Sequence, residues 1–396
     1  MNPPNSIPFS ISEAVRQMLP YIMEMREYFH AHPEPGGREF DTCKTVFQEL
    51  SLMGVQEVKI IAGTGVTGLI HGALPGPLLL LRAAIDAQRI KETHPCAYAS
   101  LTEGLMHAAG HDGETAVLLG IAKILCKHRQ TVQGTVRLVF EPAVSATGKA
   151  AEMIDAGILH APRPDMALTC HWNGNLPLET VAFRAGYISP CGDEITLTVK
   201  REPTALAPSL NPLWVGTRLV CKIYDTLAAH RQLPADTLIF NQVDGGTSPA
   251  ILPESVTWKG ILRTPSPTVR QHILQRMETL CRDGEQAPLL SVRLLNRPLA
   301  PPLENTPLLC KLAHKIWHTH APHLRVSAAM DSRRLDDFSY IAARIPAFTF
   351  DAGIYTRTPM PIDSRLFIWD SDILKSLCLT QLTLVLHLPR YFHDRK

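Results

Sequence analysis

The sequence predicts a two-part α/β protein, in which a mostly parallel sheet with helices on both faces is interrupted by an inserted α+β domain of ferredoxin-like order. Two patterns carry this prediction. Before Gly186, continuous apolar runs of strand length alternate with helical patterns, as in parallel sheets that are covered on both faces. After Gly186, alternating strands and amphipathic helices follow in a βαββαβ order, which is typical of a compact two-layer insert.

The first part begins with two predicted helices and a buried sheet. The segment from Ile11 to Leu52 has helical spacing of apolar residues, broken by HAHPEPGGREF, where prolines and glycines force a loop. The runs LLLLRAAID and TVRLVFEPAV are predicted strands, and AVLLGIAKILCKH is a predicted helix between them. Because chemistry gathers where parallel strands end, the predicted site contains Asp86, the loop from His107 to Asp112, the PAVS segment and His171.

The inserted part is predicted from four strands and two helices. Its strands are EITLTVK, TLIFNQVDGG, SVTWKGILRT and LLSVRLLNRP, and its helices are PLWVGTRLVCKIYDTLAAH and PTVRQHILQRMETLCRD. From about Pro301 the chain returns to helical and apolar-strand segments, which end in AFTFDAG and a final helix near Ile373 to Leu388. We therefore predict that 1–188 and 299–396 form the α/β domain and that 189–298 form the insert.

Composition limits the classes of function. A chain of 396 residues with 45% hydrophobic residues is long enough for two domains, and a net charge of +2 provides no basic field for nucleic acid. The start MNPPNSIPFS lacks the features of a secretory signal, and no apolar run approaches the length of a membrane span, so we expect a cytoplasmic protein with no membrane partner. Nine cysteines without a CxxC pair indicate buried reduced thiols.

Eight ordered segments, found from about Met25 to about Asp363, resemble the hippurate hydrolase, aminoacylase and auxin-conjugate amidohydrolase family of dinuclear zinc peptidases. They are FHAHPEPGGRE, GTGVTGLIHG, PGPLLLLRAAIDA, GLMHAAGHDGETA, VRLVFEPA, GGTSPAILPE, LRT and DDFSY. The resemblance implies a zinc-peptidase-like α/β domain, with the insert as lid and dimerisation surface of a homodimer. It also implies hydrolysis of N-acyl amino acids or small peptides, in which two metal ions polarise the amide and a glutamate deprotonates water.

The resemblance implies five metal-ligand positions and a general base, and most of these positions have lost their function. A methyl group cannot coordinate a metal, and a guanidinium has no lone pair to offer. Two of the five ligands remain, at His111 and His171. The lost ligands and the lost base are at Ala109, Val144, Ser145 and Arg357. We expect no competent dinuclear site and no cofactor, with zinc or manganese as the less favoured alternative.

Three hypotheses stay open. The favoured one is repurposed, metal-independent formation, transfer or cleavage of an amide in a small N-acyl amino acid or peptide-like ligand. Its pocket is lined by His111, Asp112, His171, Asp86 and Arg357. Histidine and carboxylate supply acid/base chemistry near neutral pH, and the guanidinium binds a carboxylate or an oxyanion.

The second hypothesis, nearly level with the first, is a pseudoenzyme that serves as a binding or scaffolding subunit. The third is a mononuclear metal-dependent amidohydrolase, in which His111 and His171 share one ion with Asp86 or Glu114. In each case we expect substrate contacts from Glu114, from Arg263 in LRT and from Asp336 in DDFSY.

Overall fold

The chain forms two units in a computed structural model, which describes residues 7–144, 148–202, 210–230, 233–234, 237–284, 289–328, 335–359, 362–367 and 369–393. Unit 1 comprises the described residues of Met1–Gly186, Glu304–Met330 and Tyr340–Lys396. Unit 2 comprises those of Tyr187–Leu303 and Asp331–Ser339. The predicted insert, 189–298, falls within unit 2, which also takes in a short segment before Tyr340 that the sequence analysis assigned to the other domain.

The elements alternate between strands and helices along much of the chain. The strands are β1 (Gln56–Ile61), β2 (Gly65–His71), β3 (Leu74–Ala84), β4 (Gln133–Glu141), β5 (Met166–Pro177), β6 (Thr180–Ala182), β7 (Gly186–Ser189), β8 (Cys191–Arg201), β9 (Leu238–Gly245), β10 (Ser255–Thr264), β11 (Leu290–Ala300), β12 (Leu303–Asn305), β13 (Arg325–Ser327) and β14 (Ala347–Tyr355). The helices are α1 (Ile11–Ala31), α2 (Phe40–Leu52), α3 (His111–Lys127), α4 (Ala150–Asp155), α5 (Pro212–Ala228), α6 (Pro267–Gly284), α7 (Pro307–His320), α8 (Phe338–Ala342) and α9 (Ser371–His393).

Unit 1 is built on an eight-stranded sheet in the order β1-β2-β4-β3-β5-β14-β6-β13. Its centre is parallel, because β3 pairs in parallel with both β4 and β5, and β5 with β14. Antiparallel pairs join β1 to β2, β2 to β4 and β6 to β14. Every residue from Leu78 to Ala84 is buried, so both faces of β3 are covered. The predicted mostly parallel, doubly covered sheet is confirmed.

Helix α3 is the central helix of unit 1. It packs against α1, α9 and strand β3, and nearly all of its residues up to Leu125 are buried. A helix that is apolar on all sides is stable only when neighbours surround it, which explains the continuous run AVLLGIA. The first turn of α3 is thereby fixed against the sheet, and this turn carries His111 and Asp112.

Unit 2 has the predicted βαββαβ order, formed by β8, α5, β9, β10, α6 and β11. Its sheet is antiparallel in the order β11-β8-β10-β9, which is the ferredoxin-like arrangement. Alternate residues of β8, namely Ile195, Leu197 and Val199, are buried in the core that this sheet shares with α5 and α6. The predicted alternation of the insert strands is confirmed.

No helix within the described residues combines the length and the apolar composition needed to cross a bilayer.

His387, on α9, is a buried histidine that we expect to make the fold sensitive to acid. It is 3% exposed, and its ring stacks on that of His320 with centroids 3.6 Å apart. Burial, followed by the charges of His320 and Arg390, lowers the pKa of His387 from 6.5 to about 3. The unfolded chain therefore takes up this proton at higher pH than the folded chain. Between the unfolded pKa of 6.5 and the folded pKa of about 3, the free energy of unfolding decreases by about 1.4 kcal/mol for each unit by which the pH falls.

The measurement is urea unfolding of the native chain and of His387→Phe between about pH 7 and about pH 4.5. Phenylalanine retains a flat ring against His320 and does not titrate. We expect the variant to lose less free energy of unfolding over this range than the native chain. Equal losses in the two proteins would contradict the assignment.

Candidate active site

The predicted site lies at the edge of the unit 1 sheet where its parallel strands end. Ala84 at the end of β3 pairs with Glu141 at the end of β4, and His171 in β5 pairs with Asp351 in β14. Asp86 follows directly after β3. Asp86 and His171 therefore lie at the edge of the sheet where the sequence predicts them. Asp351 is not predicted, and its signal is a single acid in the otherwise apolar strand AFTFDAG.

Two glycines shape the loop that leads into α3. Gly110 has a φ of 82°, in the left-handed region that favours glycine. A Cβ added to Gly113 would lie 2.5 Å from Cε2 of Trp369, and one added to Gly110 would lie 2.6 Å from Cζ2 of the same ring. The glycines of the segment GHDG therefore allow Trp369 to pack directly on the start of the helix.

His111 is oriented by Asp86. Its Nδ1 lies 3.0 Å from Asp86 Oδ1 and 2.9 Å from the Asp86 backbone oxygen, so this nitrogen carries a proton and donates it. Burial alone would lower the pKa of His111, but the charges of Asp86 and Glu114 and the hydrogen bonds to Asp86 raise it to about 9. No described residue bonds Nε2, so this nitrogen is the one that can face a ligand.

Asp112 faces a different set of residues. Its Oδ2 lies 2.8 Å from His30 Nδ1 and 3.3 Å from Arg26 Nε, and its Oδ1 accepts a hydrogen bond of 3.0 Å from Trp369 Nε1. Burial alone would raise the pKa of Asp112, but His30 and Arg26 hold it well below its usual range. The motif predicts Asp112 in the pocket beside His111. Its carboxylate instead ties α1 to the start of α3, and Asp86 is the carboxylate that orients His111.

Three further buried side chains belong to this edge of the sheet, namely those of Glu114, Cys170 and His107. Glu114 is buried, and its Oε2 accepts a 2.9 Å hydrogen bond from the backbone N–H of Ala84, so it holds α3 against β3. Cys170 is a buried thiol whose pKa is raised well above its usual value by burial and by the charges of Glu114 and Asp351. His107 is 1% exposed, and neither of its ring nitrogens bonds a described group; burial lowers its pKa to about 4. His107 begins the loop that the sequence predicts at the site, but no separate chemical role is predicted for it.

The described side chains at the lost ligand positions cannot coordinate a metal ion. Ala109 and Val144 are half-buried, and Arg357 is exposed beyond the end of β14. Ser145 lies outside the described residues. An alanine methyl, a valine side chain and a permanently charged guanidinium have no lone pair to donate. The described residues therefore do not fit the dinuclear centre that the family resemblance implies.

Two predicted substrate contacts belong to unit 2: Arg263, from the predicted insert, and Asp336, which the sequence assigned to the α/β domain. Arg263, in β10, is half-buried, and its backbone N–H donates to the carbonyl oxygen of Thr237 at 2.6 Å. Asp336 precedes α8, and its Oδ1 accepts a 3.0 Å hydrogen bond from the backbone N–H of Phe338. Asp336 thus has a local role at the start of a helical turn. Contact of Arg263 or Asp336 with substrate stays a prediction.

The expectation of no cofactor is not supported, because a group of potential metal-ligating residues exists in unit 1. His30, Glu92 and Cys96 present ligand atoms that all lie within 4.8 Å of one another. This group is not predicted from the sequence. Its only sequence signal was the spacing of Glu92 and Cys96 by four residues, far from His30.

Unit 1 and unit 2 together define an α/β protein of the peptidase and amidohydrolase class, with a histidine loop at the end of a parallel sheet and a ferredoxin-like insert. Residues 80–366 match the model of peptidase family M20/M25/M40. The chain belongs to this family, and the resemblance seen in its motifs is confirmed.

Named relatives in this comparison are hydrolases. The N-acetyl-L-cysteine deacetylase of Bacillus subtilis is 28% identical over 350 residues, which cover 87% of this chain and 82% of the relative. The IAA-amino acid hydrolase ILR1-like 2 of Arabidopsis thaliana is 29% identical over 348 residues, 86% of this chain and 79% of the relative. Among solved structures, the Bacillus subtilis YXEP protein, a dinuclear metal binding peptidase, has a TM-score of 0.82 at 23% identity, covering 95% of this chain and 99% of its own.

Proposed function

We propose that this chain catalyses amide-bond chemistry on small N-acyl amino acids or peptide-like compounds, with His111 and Asp86 as an acid/base pair and without a dinuclear metal centre. The observation that carries the proposal is the hydrogen bond from His111 Nδ1 to Asp86, which leaves Nε2 as the nitrogen that meets the substrate. An imidazole held in one tautomer by a carboxylate is a well-placed proton donor and acceptor. The deacetylase and hydrolase relatives favour cleavage as the direction of reaction.

In this proposal each side chain has a separate task. In its neutral form, which predominates above the pKa of about 9 that Asp86 and Glu114 give it, His111 takes a proton through Nε2 from a water molecule that attacks the amide carbonyl, and then gives that proton to the departing nitrogen. Asp86 stabilises the imidazolium that forms between these steps. The exposed guanidinium of Arg357 binds the negative charge of the substrate, either its free carboxylate or the carbonyl oxygen as it becomes negative.

The experiment is a turnover assay on protein treated with a chelator. The substrates are a panel of N-acetyl amino acids and indole-3-acetyl amino acids, and the readout is the free amino acid released. We expect release that persists after chelation and does not increase when zinc or manganese is added. Release that appears only after metal is restored would contradict the metal-independent mechanism.

A second candidate function is a non-catalytic binding or scaffolding subunit. The observation that favours it is Val144, a side chain without a proton acceptor at the position where the family resemblance implies the general base. For this candidate the same panel gives no release, while calorimetry still detects binding of at least one compound.

A further inference from the structure

A compact group of three ligand-type atoms lies between α1 and the loop that follows β3. His30 Nε2 lies 3.1 Å from Glu92 Oε1, and Cys96 Sγ lies 3.7 Å from the same oxygen. All three ligand atoms are within 4.8 Å of one another. His30 is fully buried, the Glu92 side chain is 7% exposed and Cys96 is half-buried, so the thiol side is the route of approach from solvent.

Two of these distances, from Glu92 Oε1 to His30 Nε2 and to Cys96 Sγ, are close to those that a tetrahedral metal imposes on its ligands. Bond lengths of about 2.1 Å to nitrogen and oxygen and about 2.3 Å to sulfur place ligand nitrogen and oxygen about 3.4 Å apart, and oxygen and sulfur about 3.6 Å apart. The observed separations of 3.1 and 3.7 Å differ from these by only a few tenths of an ångström. One nitrogen, one oxygen and one sulfur are a donor set that suits zinc and cobalt.

The surrounding hydrogen bonds hold two of the three ligands in place. The other ring nitrogen of His30 lies 2.8 Å from Asp112 Oδ2, and Asp112 is itself bonded by Trp369. A metal-binding histidine is typically oriented by a carboxylate in this way. The second carboxylate oxygen of Glu92 accepts a 2.7 Å hydrogen bond from the backbone N–H of Ser100, which leaves Oε1 directed at His30.

We propose that His30, Glu92 and Cys96 form a binding site for one zinc-like divalent ion, distinct from the ligand positions that the family resemblance implies. The three protein ligands leave a fourth tetrahedral position for solvent. The site does not depend on the proposed amide chemistry. Asp112 links the proposed metal site to the candidate active site. Its carboxylate bonds His30, and it lies between His111 and Gly113 in the first turn of α3.

Charge balance permits a divalent ion here in spite of a nearby arginine. Arg26 Nε lies 3.3 Å from Asp112, and its guanidinium lies over the ring of Tyr98 at 4.3 Å. With metal bound, the three negative charges of Asp112, Glu92 and the Cys96 thiolate equal the positive charges of Arg26 and the ion. Binding converts the thiol to a thiolate and requires a neutral His30 Nε2, so the Cys96 proton, and any proton on that nitrogen, is released to solvent.

The test is a titration of the whole chain, freed of metal by chelator, with cobalt(II). A cobalt–thiolate bond gives a charge-transfer absorption band in the near ultraviolet, which reports the ligand directly and needs no activity. We expect the band to saturate at one equivalent of cobalt and zinc to displace it. Absence of a thiolate band in the native chain would overturn the proposal.

Four variants sharpen this test. Cys96→Ser is expected to abolish the band, and Glu92→Gln to weaken cobalt binding at least about tenfold, in the range seen when a supporting or ligating group is removed. Cys221→Ser, at an exposed cysteine on α5, and His171→Ala, at a position of the implied family site, are expected to leave the band unchanged. A band that survives in Cys96→Ser, or that disappears in His171→Ala, would overturn the assignment. Circular dichroism of the metal-free variants separates loss of binding from loss of folding.

Discussion

Replacing His111 with glutamine is expected to lower kcat/KM for the best substrate of the amide panel by about 10²- to 10⁴-fold. Glutamine is uncharged at all pH values and transfers no proton, whereas a positioned acid/base group contributes about that factor to a proton-transfer step. The side chain retains an N–H that can reach Asp86, so the buried carboxylate keeps a partner. The loss should therefore be in catalysis, with little change in the free energy of unfolding.

The matched control is His314→Gln, an exposed histidine on α7. We expect its kcat/KM to equal that of the native chain. Asp86→Asn should also lower kcat/KM, because an amide does not stabilise the imidazolium that forms on His111. Unchanged turnover in His111→Gln would contradict the acid/base role of this histidine.

Replacing Asp112 with asparagine is expected to lower the free energy of unfolding by about 3–5 kcal/mol. The Asp112 carboxylate is fully buried and lies against both His30 and Arg26, whose side chains are 0% and 3% exposed. Removing its charge leaves the Arg26 guanidinium buried without its counter-ion. An uncompensated buried charge destabilises the folded state strongly. The hydrogen bond from Trp369 can still be accepted by the amide oxygen, so the packing of α3 should survive in part.

Urea unfolding measures this prediction, with Asp155→Asn at an exposed position of α4 as the control. We expect the control to change the free energy of unfolding by less than about 0.5 kcal/mol. A loss as small as this in Asp112→Asn would show that the network around Asp112 contributes little to stability.

Much of the fold follows from local patterns in the sequence. The run LLLLRAAID predicts a strand buried on both faces, and β3 is buried at every position from Leu78 to Ala84. The alternation in EITLTVK predicts one buried face, and β8 buries Ile195, Leu197 and Val199. Both patterns have short periods, so a window of a few residues contains the information.

The candidate site follows from the sequence only in part. Motif order places His111, Asp86 and His171 at one edge of the sheet. It does not show which carboxylate orients which histidine, because Asp112 is separated from His30 by 82 residues and from Trp369 by 257. Contacts of this kind arise from packing between α1, α3 and the chain before α9, and they leave no periodic signal. Cys96 was missed for the same reason, since its ligand partner His30 lies on a different element.

X-ray diffraction from crystals grown with zinc, with anomalous data collected at the zinc absorption edge, tests both proposed sites most directly. We expect one peak in contact with His30, Glu92 and Cys96, and none bound by His111 and His171. A peak between His111 and His171 would contradict the metal-independent chemistry proposed for that pair. The absence of a peak at His30, Glu92 and Cys96 would contradict the second site and leave the proposed chemistry of His111 and Asp86 untouched.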